Sequence, residues 1–366
     1  MKLTKTLSLY FSKKFIISLA VSLAISTLVV LLIDSAELAR RISKVGEGDF
    51  LLASKLALLK LPEMLLEVLP FIILFGSLGT FFLLARSSEL IIVRVSGLSI
   101  WQFLLPIIII VLTLGFIIIF FIQPFIASST ERFNELEAKF IRGQENLITL
   151  SENGLWLKEE GENNNDYYII HALGLGDQGN NLENVIFFHH DNQGRLLKRI
   201  DTDKAILDNG KWELSDVWIQ KSKQPSSFSK SLLISTNLSP DQIQENFSPP
   251  ETFSIWKLPK FINITENAGF SSLRHKTRLY ILIAFPFFLA SMVLAAAPFS
   301  INFLRTGKIN YLLLGGLITG FVIYTFSNVV EAFGSSGAIN PILSAWLPPI
   351  IAILTGITAL LFTEES

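Results

Sequence analysis

The stretch Val95–Thr130, VSGLSIWQFLLPIIIIVLTLGFIIIFFIQPFIASST, runs for 36 residues without a charged side chain. The hydrocarbon core of a lipid bilayer is about 30 Å thick, and a helix of roughly 20 apolar residues crosses it. The stretch is therefore long enough for one membrane-spanning helix together with its flanks.

Charge-free runs of comparable length occur five more times in the chain. They are Phe15–Ile33, Val68–Ala85, Leu279–Leu304, Ile309–Val330 and Ala332–Thr363. A soluble protein would need six such runs by chance, so we predict six transmembrane helices, three before a polar block and three after it. The first run is longer than the apolar core of a signal peptide, about 7–15 residues, and we expect it to remain as the first helix.

The charge of the chain is low on average and unevenly distributed. Of the 366 residues, 50% are hydrophobic and 17% are charged, and the mean hydropathy is +0.50. Residues 131–278 hold 17 of the 30 Lys and Arg residues and 21 of the 31 Asp and Glu residues. The chain thus combines an apolar part with a water-facing part, and its net charge of −1 provides no basic field for nucleic acid.

The water-facing part is predicted to form a β domain. Alternating apolar residues and turn signals predict five or six antiparallel strands within residues 149–236, arranged as a small sandwich or jelly roll. Asn209-Gly210 is a two-residue hairpin signal, and a slip of the alternation at Ser215-Asp216 indicates a bulge. The aromatic residues form either a plain core or a slot for acyl chains: Trp156, Trp212, Trp218, Phe187 and Phe188. From Pro249-Pro250 onward the pattern is helical, with an interruption at Pro259.

These patterns predict a membrane protein with six transmembrane α-helices, in a 3+3 arrangement, and an inserted antiparallel β domain that is jelly-roll-like. Residues 1–130 hold the first three helices, with a short cytoplasmic helix near residues 86–97. Residues 131–270 hold the β domain and a connecting helix, and residues 271–366 hold the last three helices.

The distribution of Lys and Arg predicts the orientation, because these residues favour cytoplasmic loops. With the N-terminus inside, eight basic residues are cytoplasmic: Lys2, Lys5, Lys13, Lys14, Arg86, Arg94, Arg305 and Lys308. Five lie on the opposite side: Arg40, Arg41, Lys44, Lys55 and Lys60. This bias places both termini in the cytoplasm and the β domain outside.

Two basic clusters are predicted at the outer ends of helices. Arg40, Arg41 and Lys44 follow the first span, where they either reach the membrane surface and pair with Asp34, Glu37 and Glu47, or bind the phosphate of an anionic lipid. A second cluster precedes the fourth span and consists of Arg274, Lys276 and Arg278, beside His275.

The loop between the second and third spans has the pattern of a short amphipathic helix. Ser87 or Ser88 is suited to cap it, and Glu89 then lies in its first turn, where the helix dipole favours an acid. Leu90, Val93 and Gly97 share one face. The segment is either a docking element for another protein or a surface connector.

The sequence contains none of the motifs that would indicate an enzyme. It has no phosphate-binding Gly-rich loop ending in Gly-Lys-Ser/Thr, no His-Glu-x-x-His and no Gly-x-Ser-x-Gly. The absence of cysteine excludes disulfides and thiolate chemistry. His189 and His190 are adjacent in a strand and point to opposite faces, so they do not share a metal. We therefore predict no catalytic residues, no metal and no cofactor.

Several segments, taken in order, resemble one family of transporter subunits. They are LLARSSELIIVRVSG at residues 83–97, Leu69-Pro70-Phe71, Asn153-Gly154-Leu155-Trp156 and Ala345-Trp346-Leu347-Pro348. Together with the order of three helices, β domain and three helices, they resemble the LptF/LptG permeases of lipopolysaccharide export. The last two segments are closer to the LptG branch of that family.

This resemblance implies a subunit of an ABC transporter in the inner membrane of a Gram-negative bacterium. It implies an LptB-like ATPase dimer, an LptF-like second permease, an LptC-like single-span protein and lipopolysaccharide as cargo, which passes to a periplasmic bridge. Glu89 would contact the ATPase, aided by Arg86, Leu90 and Arg94. The two basic clusters would face lipid phosphates. The sequence departs from the family at Leu282, four residues before Pro286, where a basic residue is frequent.

Two other functions are compatible with the residues. One is a permease for another lipid or for lipoproteins. The other is a membrane-anchored lipid-binding protein, which would not need six spans.

Overall fold

A computed structural model describes most of the chain. It covers residues 5–45, 50–89, 99–137, 140, 155–160, 166–175, 181–191, 193–208, 210–221, 225–236, 249–267, 271–306 and 309–365. The chain divides into two compact units, which are described separately. One unit comprises Met1–Phe133, Phe253–Leu258 and Leu273–Ser366, and the other comprises Asn134–Thr252 and Pro259–Ser272.

Six long helices make up the first unit. They are α1 Lys5–Val45, α2 Phe50–Arg86, α3 Ile100–Glu137, α5 Leu273–Thr306, α6 Ile309–Ser335 and α7 Pro341–Glu365. Each is long and apolar enough to cross a membrane. The predicted 3+3 arrangement of spans around an inserted domain is therefore confirmed.

Helices α1 and α2 approach each other through small residues. The Ser18 hydroxyl donates to the Gly76 carbonyl at 2.9 Å, and the Ser22 hydroxyl donates to the Ile72 carbonyl at 3.2 Å. A Cβ on Gly76 would lie 3.1 Å from the Leu19 Cα. Because lipid tails are as apolar as Leu, membrane helices associate through such close packing and interhelical hydrogen bonds.

Helix α5 lies in the centre of the unit. Its residues from Leu289 to Ala297 are all buried, and most of them pack in a common core with residues of α2 and α3. At the crossing with α3, a Cβ on Gly115 would lie 2.8 Å from the Pro286 Cα, so only glycine fits there.

The second unit contains a six-stranded antiparallel sheet. Its strands are β1 Leu155–Glu160, β2 Asp166–Leu175, β3 Asn181–Asp191, β4 Leu196–Asp208, β5 Lys211–Lys221 and β6 Ser227–Ser235. The strands pair in chain order, which confirms the predicted antiparallel domain. Among the described strands the connectivity is a meander and contains none of the Greek-key crossings of a jelly roll.

The hairpin predicted at Asn209-Gly210 is present between β4 and β5. Gly210 has a φ of +72°, the left-handed conformation that this kind of turn requires. Asn209 itself lies outside the described residues.

The predicted bulge at Ser215-Asp216 takes a different form. Asn184 on β3 and Asp216 on β5 both have positive φ, 50° and 55°, and the register on either side places both opposite Asp203 of β4. The alternation of buried residues shifts at the same level in all three strands, while the β4–β5 register is unchanged. The slip is therefore shared by three strands and is not an inserted residue in one.

The aromatic residues of the sheet are divided between its faces. Phe187 and Trp212 are fully buried in the sheet's core, as a plain core predicts. Trp156 and Trp218 are 50% and 53% exposed, so these two do not belong to that core. Phe188 is partly buried and stacks with Trp156 at 6.4 Å between ring centroids.

The predicted interruption at Pro259 is wrong. After the short 3₁₀ turn Pro250–Thr252, helix α4 runs from Leu258 to Asn267 with Pro259 as its second residue. Proline is favourable in a first helical turn, because its missing N–H has no acceptor there and its fixed φ is helical.

The α3–α5 crossing gives a test of the helical packing. In Gly115→Ala the new methyl group meets Pro286 backbone and ring atoms at 2.8 and 2.9 Å, so the backbone must shift. We expect a loss of about 1–3 kcal/mol in the free energy of unfolding, measured on detergent-solubilised protein. Gly316→Ala is the matched control, since the atoms nearest to its methyl group belong to the Leu78 side chain and not to backbone. Equal stability of Gly115→Ala and the wild type would contradict this packing.

Candidate functional site

The turn that follows α2 positions the carboxylate of Glu89. The helix finishes at Arg86, and Ser88 leaves it with a φ of +59°, a left-handed conformation that terminates helices. The Ser87 hydroxyl lies 2.8 Å from Glu89 Oε1 and 3.0 Å from the Leu83 carbonyl, and its single proton bonds one or the other. The loop thereby fixes the carboxylate of Glu89 beside the helix end.

Glu89 is paired with the first helix of the chain. Lys14 Nζ on α1 donates to Glu89 Oε1 at 2.7 Å, and the two side chains are 28% and 26% exposed. Burial of Glu89 would raise the pKa of its carboxyl, but hydrogen bonds from Lys14, Ser87 and Tyr10 lower this pKa below its usual value. The carboxylate is therefore charged at neutral pH.

Of the other residues predicted to contact the ATPase, the structure describes only one. Arg86 is exposed in the last turn of α2. Leu90 and Arg94 lie outside the described residues, and so does the short helix predicted after Glu89. The Lys14 partner of Glu89 is a site residue that the sequence analysis did not find.

The first predicted basic cluster lies at the end of α1. Arg41 pairs with Glu37 one turn earlier, as one of the two interpretations expects, with its Nε donating at 3.1 Å. Arg40 is exposed and makes no ion pair with any described residue. Lys44 lies in the last turn of the helix, and its side chain is outside the described set.

Asp34 pairs with a lysine of α2 and not with the basic residues at the end of α1. It is 7% exposed, and its Oδ1 accepts a hydrogen bond of 3.0 Å from Lys60 Nζ on α2. Lys60 also lies over the Phe133 ring, 5.6 Å from its centroid. The expectation that Asp34 neutralises Arg40 or Arg41 is therefore wrong, and the acid instead joins α1 to α2.

The second predicted basic cluster is not one patch. Arg274 and Arg278 are four residues apart in α5 and share a helix face, whereas Lys276 lies about 200° from Arg274 around the helix. His275 is buried, with its ring edge-on to Phe253 at 5.5 Å. Leu282, where the sequence departs from the family pattern, is buried at 2% exposure, a position suited to an apolar side chain.

Two apolar cavities open beside α1. One of about 650 Å³ lies among α1, α2 and α3, and Leu19 and Leu23 form its α1 wall. The other, of about 520 Å³, lies between α1 and α2, and a row of small residues on α1, Ser18, Ser22 and Ser26, faces it. Helix α1 therefore contributes to the walls of both cavities.

A buried glutamine in α3 binds the segment that precedes α5. Gln123 is 1% exposed; its amide donates to the Phe253 carbonyl at 3.0 Å and accepts from the Ile255 N–H at 2.8 Å. The π-helical turn Ile118–Ile122 lies beside it, and the Trp256 indole donates to the Phe120 carbonyl in that turn at 3.2 Å. The sequence signal for this contact was an amide side chain within a long apolar run.

The histidine pair of β3 is engaged in stacking. His189 stacks on Tyr168 at 4.4 Å and bonds Asp166 at 2.5 Å, while His190 stacks on Tyr167 at 5.2 Å. No group of three His, Asp or Glu residues in the described ranges could hold a metal ion.

Six apolar helices interrupted by an antiparallel sheet, with an ionised acid at the loop after the second helix, define a multi-pass membrane protein of the permease class. The family model described as lipopolysaccharide export system permease LptF/LptG matches residues 9–362, and the chain belongs to this family.

Curated relatives agree with this assignment. The lipopolysaccharide export system permease protein LptG of Escherichia coli K12 is 25% identical over 322 residues, which cover 84% of this chain and 85% of that protein. The protein of the same name from Haemophilus influenzae is 23% identical over 309 residues, covering 81% and 82%.

The Asp34–Lys60 and Glu37–Arg41 ion pairs predict different costs of removal. Lys60→Met leaves the Asp34 carboxylate buried without a counter-ion, and we expect a loss of about 3 kcal/mol in the free energy of unfolding. The second substitution Asp34→Asn should recover most of it. Arg41→Met removes an exposed pair and should cost less than about 1 kcal/mol. Equal losses for Lys60→Met and Arg41→Met, measured by thermal unfolding, would show that burial of Asp34 is unimportant.

Proposed function

We propose that the chain is the LptG-type permease subunit of an ABC transporter that extracts lipopolysaccharide from the inner membrane of a Gram-negative bacterium. The observation that carries the proposal is the charged, partly buried carboxylate of Glu89 at the loop after α2, in a member of a family of lipopolysaccharide export permeases. Such a loop is suited to receive the movement of a partner protein.

The energy for extraction comes from that partner. Transfer of an acyl chain from a bilayer to water costs about 0.8 kcal/mol per CH₂ group, so a lipid with several chains does not leave unaided. The sequence contains no Gly-rich phosphate-binding loop, which favours an LptB-like ATPase dimer as the site of ATP hydrolysis. A basic residue of that ATPase is the natural counterpart of Glu89.

The remaining partners follow from the family. We propose an LptF-like second permease, so that two six-helix units enclose the lipid, and an LptC-like single-span protein that continues the path. Both termini and Glu89 lie on the cytoplasmic side, and the sheet unit lies in the periplasm. The chain does not need to catalyse any reaction on the transported lipid.

The lipid phosphates are held at the outer end of α1. Arg40 is exposed, and Arg41 is also exposed and pairs with Glu37 one turn earlier. Arginine binds phosphate in a bidentate manner, so both are suited to an anionic head group. Lys44 follows one turn later, and Arg274 and Arg278 form a second basic face on α5, with Lys276 directed elsewhere.

A substitution of the coupling acid tests the proposal. Glu89→Ala removes the carboxylate that the ATPase contacts, and we expect ATP-driven release of lipopolysaccharide from proteoliposomes to fall by about tenfold or more. The assembled complex should still insert into the membrane. Glu131→Ala, which removes an exposed acid of α3, is the matched control and should leave release unchanged.

Normal coupled release by Glu89→Ala would contradict the role of this acid. The rival function, a permease for another lipid or for lipoproteins, predicts a different co-purified molecule. Mass spectrometry of the lipid bound to the purified complex distinguishes the two.

The head-group site predicts a second result. Reversing two charges with Arg40→Glu and Arg41→Glu places acids against the lipid phosphates, and photocrosslinking of lipopolysaccharide to the permease should fall by about tenfold. Lys13→Glu reverses an exposed charge at the other end of α1 and serves as the control. Unchanged crosslinking in the double variant would exclude head-group capture at this position.

A further inference from the structure

Both ends of the loop that joins α2 to α3 are attached to the same stretch of α1. At the first end, Glu89 is paired with Lys14. At the other end, α3 begins at Ile100 after the Ser99 hydroxyl, which accepts from the Trp101 N–H at 3.3 Å.

One turn into α3, Phe103 packs edge-on against Phe11 of α1, with 4.9 Å between ring centroids. The contacts of the loop with α1 thus fall on residues 10–14, although residues 90–98 themselves are outside the described part.

This stretch of α1 is firmly held in the helical unit. Phe11 and Phe15 are 2% and 0% exposed and belong to the core shared by α2, α3 and α5. Phe103 is 3% exposed and also contacts Phe81 of α2 at 5.7 Å. A force on either end of the loop is therefore applied to a packed contact with α1.

The Lys14 side chain is held between Glu89 and Tyr10 of its own helix. Its Nζ donates to Glu89 at 2.7 Å and lies 4.9 Å from the centroid of the Tyr10 ring, one turn earlier on the same helix face. Lys13, its neighbour, is exposed. Charge-assisted hydrogen bonds are shorter and stronger than neutral ones, which suits a contact that must transmit displacement.

Beyond Lys14, the same helix forms the cavity walls. Ser18 lies one turn further on and Ser22 two turns, both bonded to α2, and Leu19 and Leu23 line the larger cavity. Because α1 is one continuous helix from Lys5 to Val45, a shift of its residues 10–14 moves these walls as well.

We infer that Lys14 is a positioning residue that carries movement of the ATPase-docking loop into α1 and hence to the lipid cavity. The inference rests on the proposed function, in which an ATPase moves the loop and a lipid occupies the cavity. Glu89 then has two tasks: it receives the partner, and through Lys14 it is fixed to the helix that has to move.

The alternative is a structural ion pair of little consequence, since solvent-accessible ion pairs contribute little to stability. Stability alone does not separate the two, so the test has to compare ATP hydrolysis with lipid release. A structural pair leaves their ratio unchanged, and a coupling contact does not.

The experiment uses the complete complex with its ATPase and second permease in proteoliposomes that contain lipopolysaccharide. With Lys14→Met we expect assembly and ATP hydrolysis to stay within about twofold of the wild type, while lipopolysaccharide released per ATP falls by about fivefold or more. Lys14→Arg, which keeps the charge and donors, should restore the ratio, and Lys13→Met should match the wild type. If Lys14→Met reduces the yield of complex, Lys14→Gln carries the same expectation.

Two results would overturn the inference. One is an unchanged ratio of release to hydrolysis in Lys14→Met. The other is a parallel loss of hydrolysis and release, which would place Lys14 in docking of the ATPase and not in transmission. Absence of ATP-driven release from the wild-type complex would instead count against the proposed function itself, so the two failures are distinguishable.

Discussion

The close approach of α1 to α2 is the constraint on which the helical unit depends. In a bilayer the hydrophobic effect does not draw helices together, so association relies on close packing and on hydrogen bonds between helices. The hydroxyls of Ser18 and Ser22 donate to backbone carbonyls of α2 across a contact that Gly76 leaves open. This contact fixes the register of α1, and the register brings Lys14 to Glu89 and Asp34 to Lys60.

The two ion pairs that α1 makes with residues outside it lie near opposite ends of the helix and have different environments. The pair of Asp34 and Lys60 involves a buried acid, which makes it a fixed structural link. The pair of Lys14 and Glu89 is more exposed and lies just after the end of α2. The buried pair thus holds one end of α1, while the pair at the other end remains accessible from solvent.

Much of the fold could be predicted from the sequence because length and composition decide it. Charge-free runs specify the six spans, and the hairpin at Gly210 follows from local turn chemistry. The partners of Asp34 and Glu89 could not be predicted, since their cations are 26 and 75 residues away and the pairing depends on helix packing. By contrast, the separation of Lys276 from Arg274 and Arg278 follows from helical periodicity alone. The shift shared by β3, β4 and β5 appears in the sequence as the slip at Ser215-Asp216, but its continuation through three strands depends on how the strands pair.

ATP-dependent transfer of lipopolysaccharide tests the central claim, that this chain is a permease through which a partner ATPase drives lipid export. Vesicles that hold both lipopolysaccharide and phospholipid, reconstituted with and without this chain beside the ATPase and second permease, would be followed for lipid reaching a soluble acceptor. We expect lipopolysaccharide alone to be transferred, only with ATP and only when the chain is present. Transfer that persists without the chain, or that favours phospholipid, would contradict the claim.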